Sequence, residues 1–331
     1  LPALRCPCCG AGDLELQVEA RDAREVRSGS LRCRCGGEYR IARGVADLLQ
    51  PDNEVIEREI RGWREIAGFN QHDMPGADDP AMRADLMALP WGTQPPWIHV
   101  APDFFQLFEY FDLRGTRIVD LGAGRTWSSR YLAAFGGAEV IAVDPMLDMT
   151  LGLHTADIYL ERNDCYFERL RADMHRLPLA DGWADVVFGC ATLHHSSDLE
   201  RLMGEVARVL RRGGLLLAIS EPNKRAAILQ RRPDNAETAA GINEQIYTLA
   251  EYFAAARSAG LRPRAIVPRT VRQRMLYGES NLREGLDPWL VRLLRRRCGL
   301  RLVDLMLRVP ILLRWIYRRS NLPLSFYAVK A

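Results

Sequence analysis

The sequence predicts an α/β protein: a doubly wound, mostly parallel seven-stranded sheet, with a small N-terminal ribbon and helical cap insertions. Three observations carry this. From residue 116 onward, short apolar runs alternate with stretches of helical character. Gly122-Ala123-Gly124 follows the first of these runs, and Asp144 closes the next. Five of the eight cysteines, Cys6, Cys8, Cys9, Cys33 and Cys35, crowd ahead of that region.

The chain of 331 residues can build one large α/β domain and a small appendage. Hydrophobic content of 48% and charged content of 26% are those of a soluble globular protein. The net charge of +3 does not by itself call for nucleic acid. Lys224 and Lys330 are the only lysines, so the basic charge is nearly all arginine. Clustered cysteines beside an α/β pattern fit a metal site in a reducing compartment better than a secreted disulfide scaffold. The first residues lack the pattern of a secretion signal, and charges interrupt every apolar stretch. The expected compartment is the cytoplasm.

Three regions follow one another. Residues 1–50 are rich in Cys and Gly, with strand-like runs at Leu14–Val18 and Glu38–Ile41. Residues 51–112 read as a helical linker or cap. Pro51-Asp52-Asn53 marks the break, and later prolines divide the region. Its aromatic residues, Trp63 and Phe104 among them, suit packing onto the main domain; a lid over a substrate is the sharper reading. Residues 113–331 carry the alternating pattern. Strands are expected at Arg117–Leu121, Glu139–Val143, within Cys165–Arg171, and at Asp185–Cys190, Leu215–Ser220, Arg264–Val267 and Leu324–Val329. Helices are expected at Ser128–Phe135, Leu199–Leu210 and Thr248–Ala259, and a polar loop at 231–243.

The loop Asp120-Leu121-Gly122-Ala123-Gly124 has a definite chemistry. Glycines let the chain turn sharply and let a ligand approach the backbone. The following helix points free N–H groups and the positive end of its dipole at that ligand. A carboxylate at Asp144 can accept both hydroxyls of a ribose. Together these indicate a nucleoside-containing cofactor. A nicotinamide fingerprint would want a third glycine at position 127, where Trp127 stands, which weighs against an oxidoreductase.

The acid followed by GxG resembles the first motif of class I S-adenosylmethionine-dependent methyltransferases, which have a Rossmann-like sheet. Three later segments strengthen the resemblance: Ala172-Asp173-Met174-His175, Asp185-Val186-Val187-Phe188 with Leu193-His194-His195, and Val209-Leu210-Arg211-Arg212-Gly213-Gly214. It covers roughly residues 104–268 and the last strand. It implies S-adenosylmethionine as cofactor. Asp120 and the backbone of Gly122, Ala123 and Gly124 would lie at its methionyl end. Asp144 and Pro145 would meet the ribose, Met146 and Met174 would flank the adenine, and Asp173 would sit near the adenine amino group. Cys190 falls at the end of the fourth strand, beside the same site. Asp185 reads as a strand-start residue.

Methyl transfer from a sulfonium is an in-line displacement in which the protein mainly aligns and desolvates. A base helps only when the acceptor must lose a proton. His195, and after it His194, are the candidates, at the mouth of the site. Glu221 reads more simply as a cap or solvated acid. His154, Asp157, Tyr159 and Tyr166 lie in a long connection that could reach substrate. The expected acceptor is a small or carrier-bound metabolite, methylated at oxygen or nitrogen, with RNA as the alternative.

The knuckles Cys6-Pro7-Cys8-Cys9 and Cys33-Arg34-Cys35 have spacings that suit a structural zinc on Cys6, Cys9, Cys33 and Cys35. A module of about fifty residues has little core, so a metal would supply folding energy. The segment resembles a zinc-ribbon-like domain found as a free methyltransferase activator or fused ahead of methyltransferase domains. That family usually has CxxC at the second knuckle, and this chain has CxC, which leaves Cys33, Cys35 and the spare Cys8 in question. Finally, residues 270–321 interleave arginines such as Arg301, Arg308 and Arg314 with apolar runs, a pattern of amphipathic helices divided at Pro310. Three uses fit them: a cap over the substrate pocket, a peripheral membrane or lipid-linked contact, and an RNA or anionic-ligand contact.

Overall fold

A computed structural model describes residues 2–50, 53–67, 79–92, 97–162, 164–224, 232–270, 292, 296–319 and 322–331. Strands β1 (Glu15–Arg21), β2 (Val26–Arg32), β3 (Glu38–Ala42) and β4 (Val45–Asp47) come first. Helices α1 (Glu54–Ile66), α2 (Pro80–Ala88) and α3 (Trp97–Tyr110) follow. The alternating region holds β5 (Arg117–Leu121), α4 (Trp127–Gly136), β6 (Glu139–Val143), α5 (Ala156–Leu160), β7 (Glu168–Arg171) and β8 (Ala184–Cys190). It continues through α6 (Leu199–Val209), β9 (Leu210–Glu221), α7 (Ala236–Ala239), α8 (Leu249–Ser258) and β10 (Leu261–Ala265). The last elements are α9 (Arg297–Arg308), α10 (Pro310–Arg319) and β11 (Leu324–Lys330).

The strands form one sheet of eleven in the order β1-β2-β3-β4-β7-β6-β5-β8-β9-β11-β10. The expected separation of a seven-stranded sheet from an N-terminal ribbon is replaced by one continuous sheet. The run from β7 to β10 is the doubly wound sheet that the alternation predicts. The other four strands are the N-terminal segment, whose β4 pairs in parallel with β7, Val45 opposite Arg169. Arg169 is buried there, 2.6 Å from Glu25 of the N-terminal hairpin and 2.8 Å from Asp157. The two regions also share apolar packing, with Leu31, Tyr39, Ile41 and Leu48 in one cluster with Ile141 and Leu170.

The central strands are apolar because helices cover both faces. Ile118–Leu121 and Val140–Val143 are buried along their whole length. Helix α6 starts on Asp198, which accepts from Arg201 N, and buries Leu199, Leu202, Met203, Val206 and Ala207 at helical spacing. Helix α8 opens with a reciprocal cap between Thr248 and Glu251. Helix α9 ends at Arg308 and α10 begins at Pro310, as a proline that cannot continue a helix requires. The stretch 231–243, expected as a loop, contains the single turn α7, opened by a reciprocal cap between Asn235 and Thr238. Much of the basic insert, 271–291 and 293–295, lies outside the described residues. No helix among the described residues is long and apolar enough to cross a membrane.

Candidate active site

The sheet order reverses between β5 and β8, and a cavity of about 620 Å³ opens at their C-terminal ends. This is where open α/β sheets bind ligands, since loops from adjacent strands diverge there. Gly122, Ala123 and Gly124 form one wall, Asp144, Pro145 and Met146 a second, and Asp173 and Met174 a third. Cys190 and His195 close the side nearest β8, and Asn53, Glu59 and Trp63, at and within α1, cover the top.

Each of these residues is held in place. The Asp144 carboxylate accepts from Gly124 N and from Met146 N, both at 2.8 Å. Burial pushes its carboxyl up to about 7, against those two hydrogen bonds. Asp173 accepts from the backbone and the ring of His175 at 2.8 and 2.9 Å, and from Asn53 Nδ2 at 3.2 Å. Burial raises its carboxyl, but the bonds from His175 outweigh that and hold it below the usual range. Gly122 has a φ of 63°, and a side chain there would strike Thr192.

Two expected residues stand behind the wall. Asp120 is buried under the glycine loop, its carboxylate accepting from Ser128 Oγ at 2.6 Å and from Ser129. Burial pushes it up to about 6. His194 lies beneath His195, the two rings 4.2 Å apart. Its Nδ1 is 3.0 Å from Glu221, which also accepts from the backbone of Thr192, Leu193 and His194. Glu221 is thus fully buried rather than solvated. Burial opposes a charge on His194, but Glu221 and Glu244 outweigh it and lift the ring to about 10. His195 has Nδ1 3.1 Å from Glu59, off the line of a hydrogen bond, and Nε2 3.8 Å from Glu244.

The remaining candidates are elsewhere. Asp157 pairs with Arg43 and Arg169, and Tyr159 donates to Leu86 O at 2.9 Å. Neither they nor His154 and Tyr166 line the cavity. Asp185 accepts from Arg117 N at 2.8 Å and anchors the start of β8. Trp63 reads in the sequence as part of an aromatic face or lid, but nothing there singles out Glu59, Asn243 and Glu244. They reach the site from segments far along the chain and have no motif of their own.

At the N-terminus, one sulfur from each of Cys6, Cys9, Cys33 and Cys35 lies within 4.8 Å of the others. Cys6 and Cys35 sulfurs are 3.6 Å apart, Cys9 and Cys33 sulfurs 3.5 Å. A tetrahedral zinc with bonds of about 2.3 Å sets its sulfurs about 3.8 Å apart, so the set fits the ion. The cluster does not include Cys8, which is exposed.

Residues 119–218 match a family model described as a methyltransferase domain. A malonyl-[acyl-carrier protein] O-methyltransferase of Gallionella capsiferriformans is 30% identical over 112 residues, 33% of this chain and 39% of that protein. A sarcosine/dimethylglycine N-methyltransferase of Halorhodospira halochloris is 34% identical over 100 residues, 29% of this chain and 34% of that protein. The chain therefore spans well under half the length of these curated relatives. A solved geranyl diphosphate C-methyltransferase of Streptomyces coelicolor A3(2), in complex with S-adenosyl-L-homocysteine, aligns over 85% of this chain and 100% of its own. Its TM-score is 0.54 at 16% identity, a likeness of fold.

Proposed function

We propose, from the premise that the chain carries an S-adenosylmethionine-dependent methyltransferase domain, that the protein methylates a small or carrier-bound metabolite at oxygen or nitrogen. The observation that carries this reading is the cavity wall. Glycine loop, ribose-type acid and adenine-type segment converge on one space with the side chains of His195 and Trp63. The cofactor supplies the methyl group. Asp144 would hold the ribose hydroxyls, Met146 and Met174 would border the adenine, and Asp173 would accept from its amino group. The backbone of Gly122, Ala123 and Gly124 would border the methionyl part, with Asp120 fixing that loop from behind. Cys190 would line the same pocket.

Helix α1 supports the lid reading of the linker region. Trp63 packs edge-on against His195, ring centroids 5.7 Å apart, and narrows the mouth. A covered mouth favours an acceptor delivered singly or on a flexible arm over a folded RNA. His195 is the acceptor-facing member of the histidine pair, and His194 acts from beneath it. The matched relatives include enzymes acting on a carrier-bound malonyl group and on small amines. Either class is compatible with a cavity of about 620 Å³.

We read residues 1–50 as a ribbon that holds a structural zinc on Cys6, Cys9, Cys33 and Cys35, joined to the sheet edge through β4. Exposed Leu302, Leu305, Ile311 and Trp315 beside arginines on α9 and α10 keep a peripheral membrane contact as a use of the basic insert.

The test is transfer of labelled methyl from S-adenosylmethionine to three acceptor pools: a malonyl-loaded carrier protein with other acyl carriers, a small-metabolite extract, and total RNA. The reading expects label in either of the first two pools. Label confined to RNA would overturn it.

A further inference from the structure

The histidine pair is surrounded by more carboxylate than a proton acceptor needs. His194 and His195 end the turn after β8, and Glu244 comes from the loop before α8. One ligand atom from each lies within 4.8 Å of the others. Oε1 of Glu244 is 3.5 Å from Nε2 of His194 and 3.8 Å from Nε2 of His195. A small divalent ion with bonds of about 2.0–2.1 Å sets tetrahedral ligand atoms about 3.4 Å apart. The two distances from Glu244 are thus within about half an ångström of those in a ligating triangle, and the two histidine nitrogens lie within 4.8 Å of each other.

The other ring nitrogen of each histidine faces a second acid. Nδ1 of His194 is hydrogen-bonded to Glu221 at 3.0 Å, and Nδ1 of His195 lies 3.1 Å from Glu59. The carboxylate hydrogen-bonded to Nδ1 of His194 fixes the tautomer that leaves its Nε2 free to bind a metal, whereas Glu59 stands beside Nδ1 of His195 without a hydrogen bond to it. The two loops are also tied together. Gln245 N donates to His194 O at 3.1 Å, Tyr247 OH to Ser196 O at 2.8 Å, and the Asn243 amide to His195 O. Such ties hold ligands from separate segments in a fixed relation.

We propose that His194, His195 and Glu244 bind one divalent transition-metal ion, with His194 oriented by Glu221. Two imidazoles and one carboxylate leave an open position. His195 and Asn243 lie on the cavity wall, so that position faces the cavity. It suits an acceptor that offers an oxygen ligand, a hydroxyl or a carboxylate, beside the methyl donor. This last step rests on the methyl-transfer reading; binding of the ion does not. The site differs from the cysteine cluster in having no thiolate.

The test uses the full, untagged chain, stripped with chelator and titrated with cobalt(II). The inference expects two equivalents per chain. One gives the strong thiolate-to-metal charge-transfer band of a cysteine site and is lost in Cys33→Ser. The other gives only weak visible bands and is lost in Glu244→Gln. Glu221→Gln should weaken that second equivalent about 10–100-fold. Binding of S-adenosylhomocysteine by each variant reports on folding and on the methyltransferase reading separately. A wild-type chain that takes up a single equivalent, with only the thiolate spectrum, overturns the inference whatever the variants do. So does a second equivalent that survives in a folded Glu244→Gln.

Discussion

Oδ2 of Asp144 accepts a hydrogen bond from the backbone N–H of Gly124 at 2.8 Å, tying the end of β6 to the glycine loop after β5. The bond sets the loop's distance from the acid, so the two elements present one surface. It also places a buried carboxyl, pushed up to about 7, where ribose hydroxyls would donate. Hydroxyl donors favour the ionised form. Affinity for S-adenosylhomocysteine should therefore be highest above pH 7 and fall as pH drops through about 7, approaching tenfold per unit below it. Calorimetric titration between pH 5.5 and 8.5 (a range of about 1.5 units on either side of that value) checks this. A flat profile would mean that Asp144 does not meet the cofactor as an anion.

Gly122 sits at a φ of 63° against Thr192. Gly122→Ala adds both a strained backbone and a clash. We expect a loss of about 1–3 kcal/mol in urea unfolding. Cofactor binding should weaken with it, because the clash moves the loop that lines the cavity.

Arg169 joins the N-terminal hairpin to the sheet through Glu25 and Asp157. Arg169→Met would leave both acids buried. Glu25 keeps Arg27, and Asp157 keeps Arg43 and, more distantly, Arg27. The cost should therefore fall near the low end for a broken buried pair, about 3 kcal/mol. Limited proteolysis should then cut first within residues 15–47, the four strands outside the doubly wound run.

Cys33→Ser removes one of four sulfurs spaced for zinc. The variant should lose about one zinc per chain by elemental analysis and unfold at lower temperature. Cys8→Ser should change neither, because its sulfur is outside the cluster.

Much of the site was legible because it is local. Gly122–Gly124, Asp144 and Asp173–Met174 each follow a strand by a few residues, so the strand positions also locate the side chains. The edge pairing of β4 was not legible. Val45-Ala46-Asp47 is too short to show periodicity, and its partner β7 lies over a hundred residues away. The same holds for Glu59 and Glu244, which meet the histidines only through the packing of α1 and of the loop before α8. Glu221 read as a cap or a solvated acid because a single acid after a strand has no pattern to mark it as buried; the fold shows it buried, with three backbone N–H groups converging on it as on a cap.

The most direct measurement is calorimetric binding of S-adenosylhomocysteine to the wild-type chain and to Asp144→Ala, with NAD(P)H in parallel. Losing charged hydrogen bonds to the ribose should cost about 2–4 kcal/mol, roughly a 30- to 1000-fold weaker Kd. The account predicts binding of S-adenosylhomocysteine by the wild type, that loss in Asp144→Ala, and no binding of the nicotinamide. Binding of NAD(P)H alone, or an Asp144→Ala chain that holds S-adenosylhomocysteine as tightly as the wild type, would contradict it.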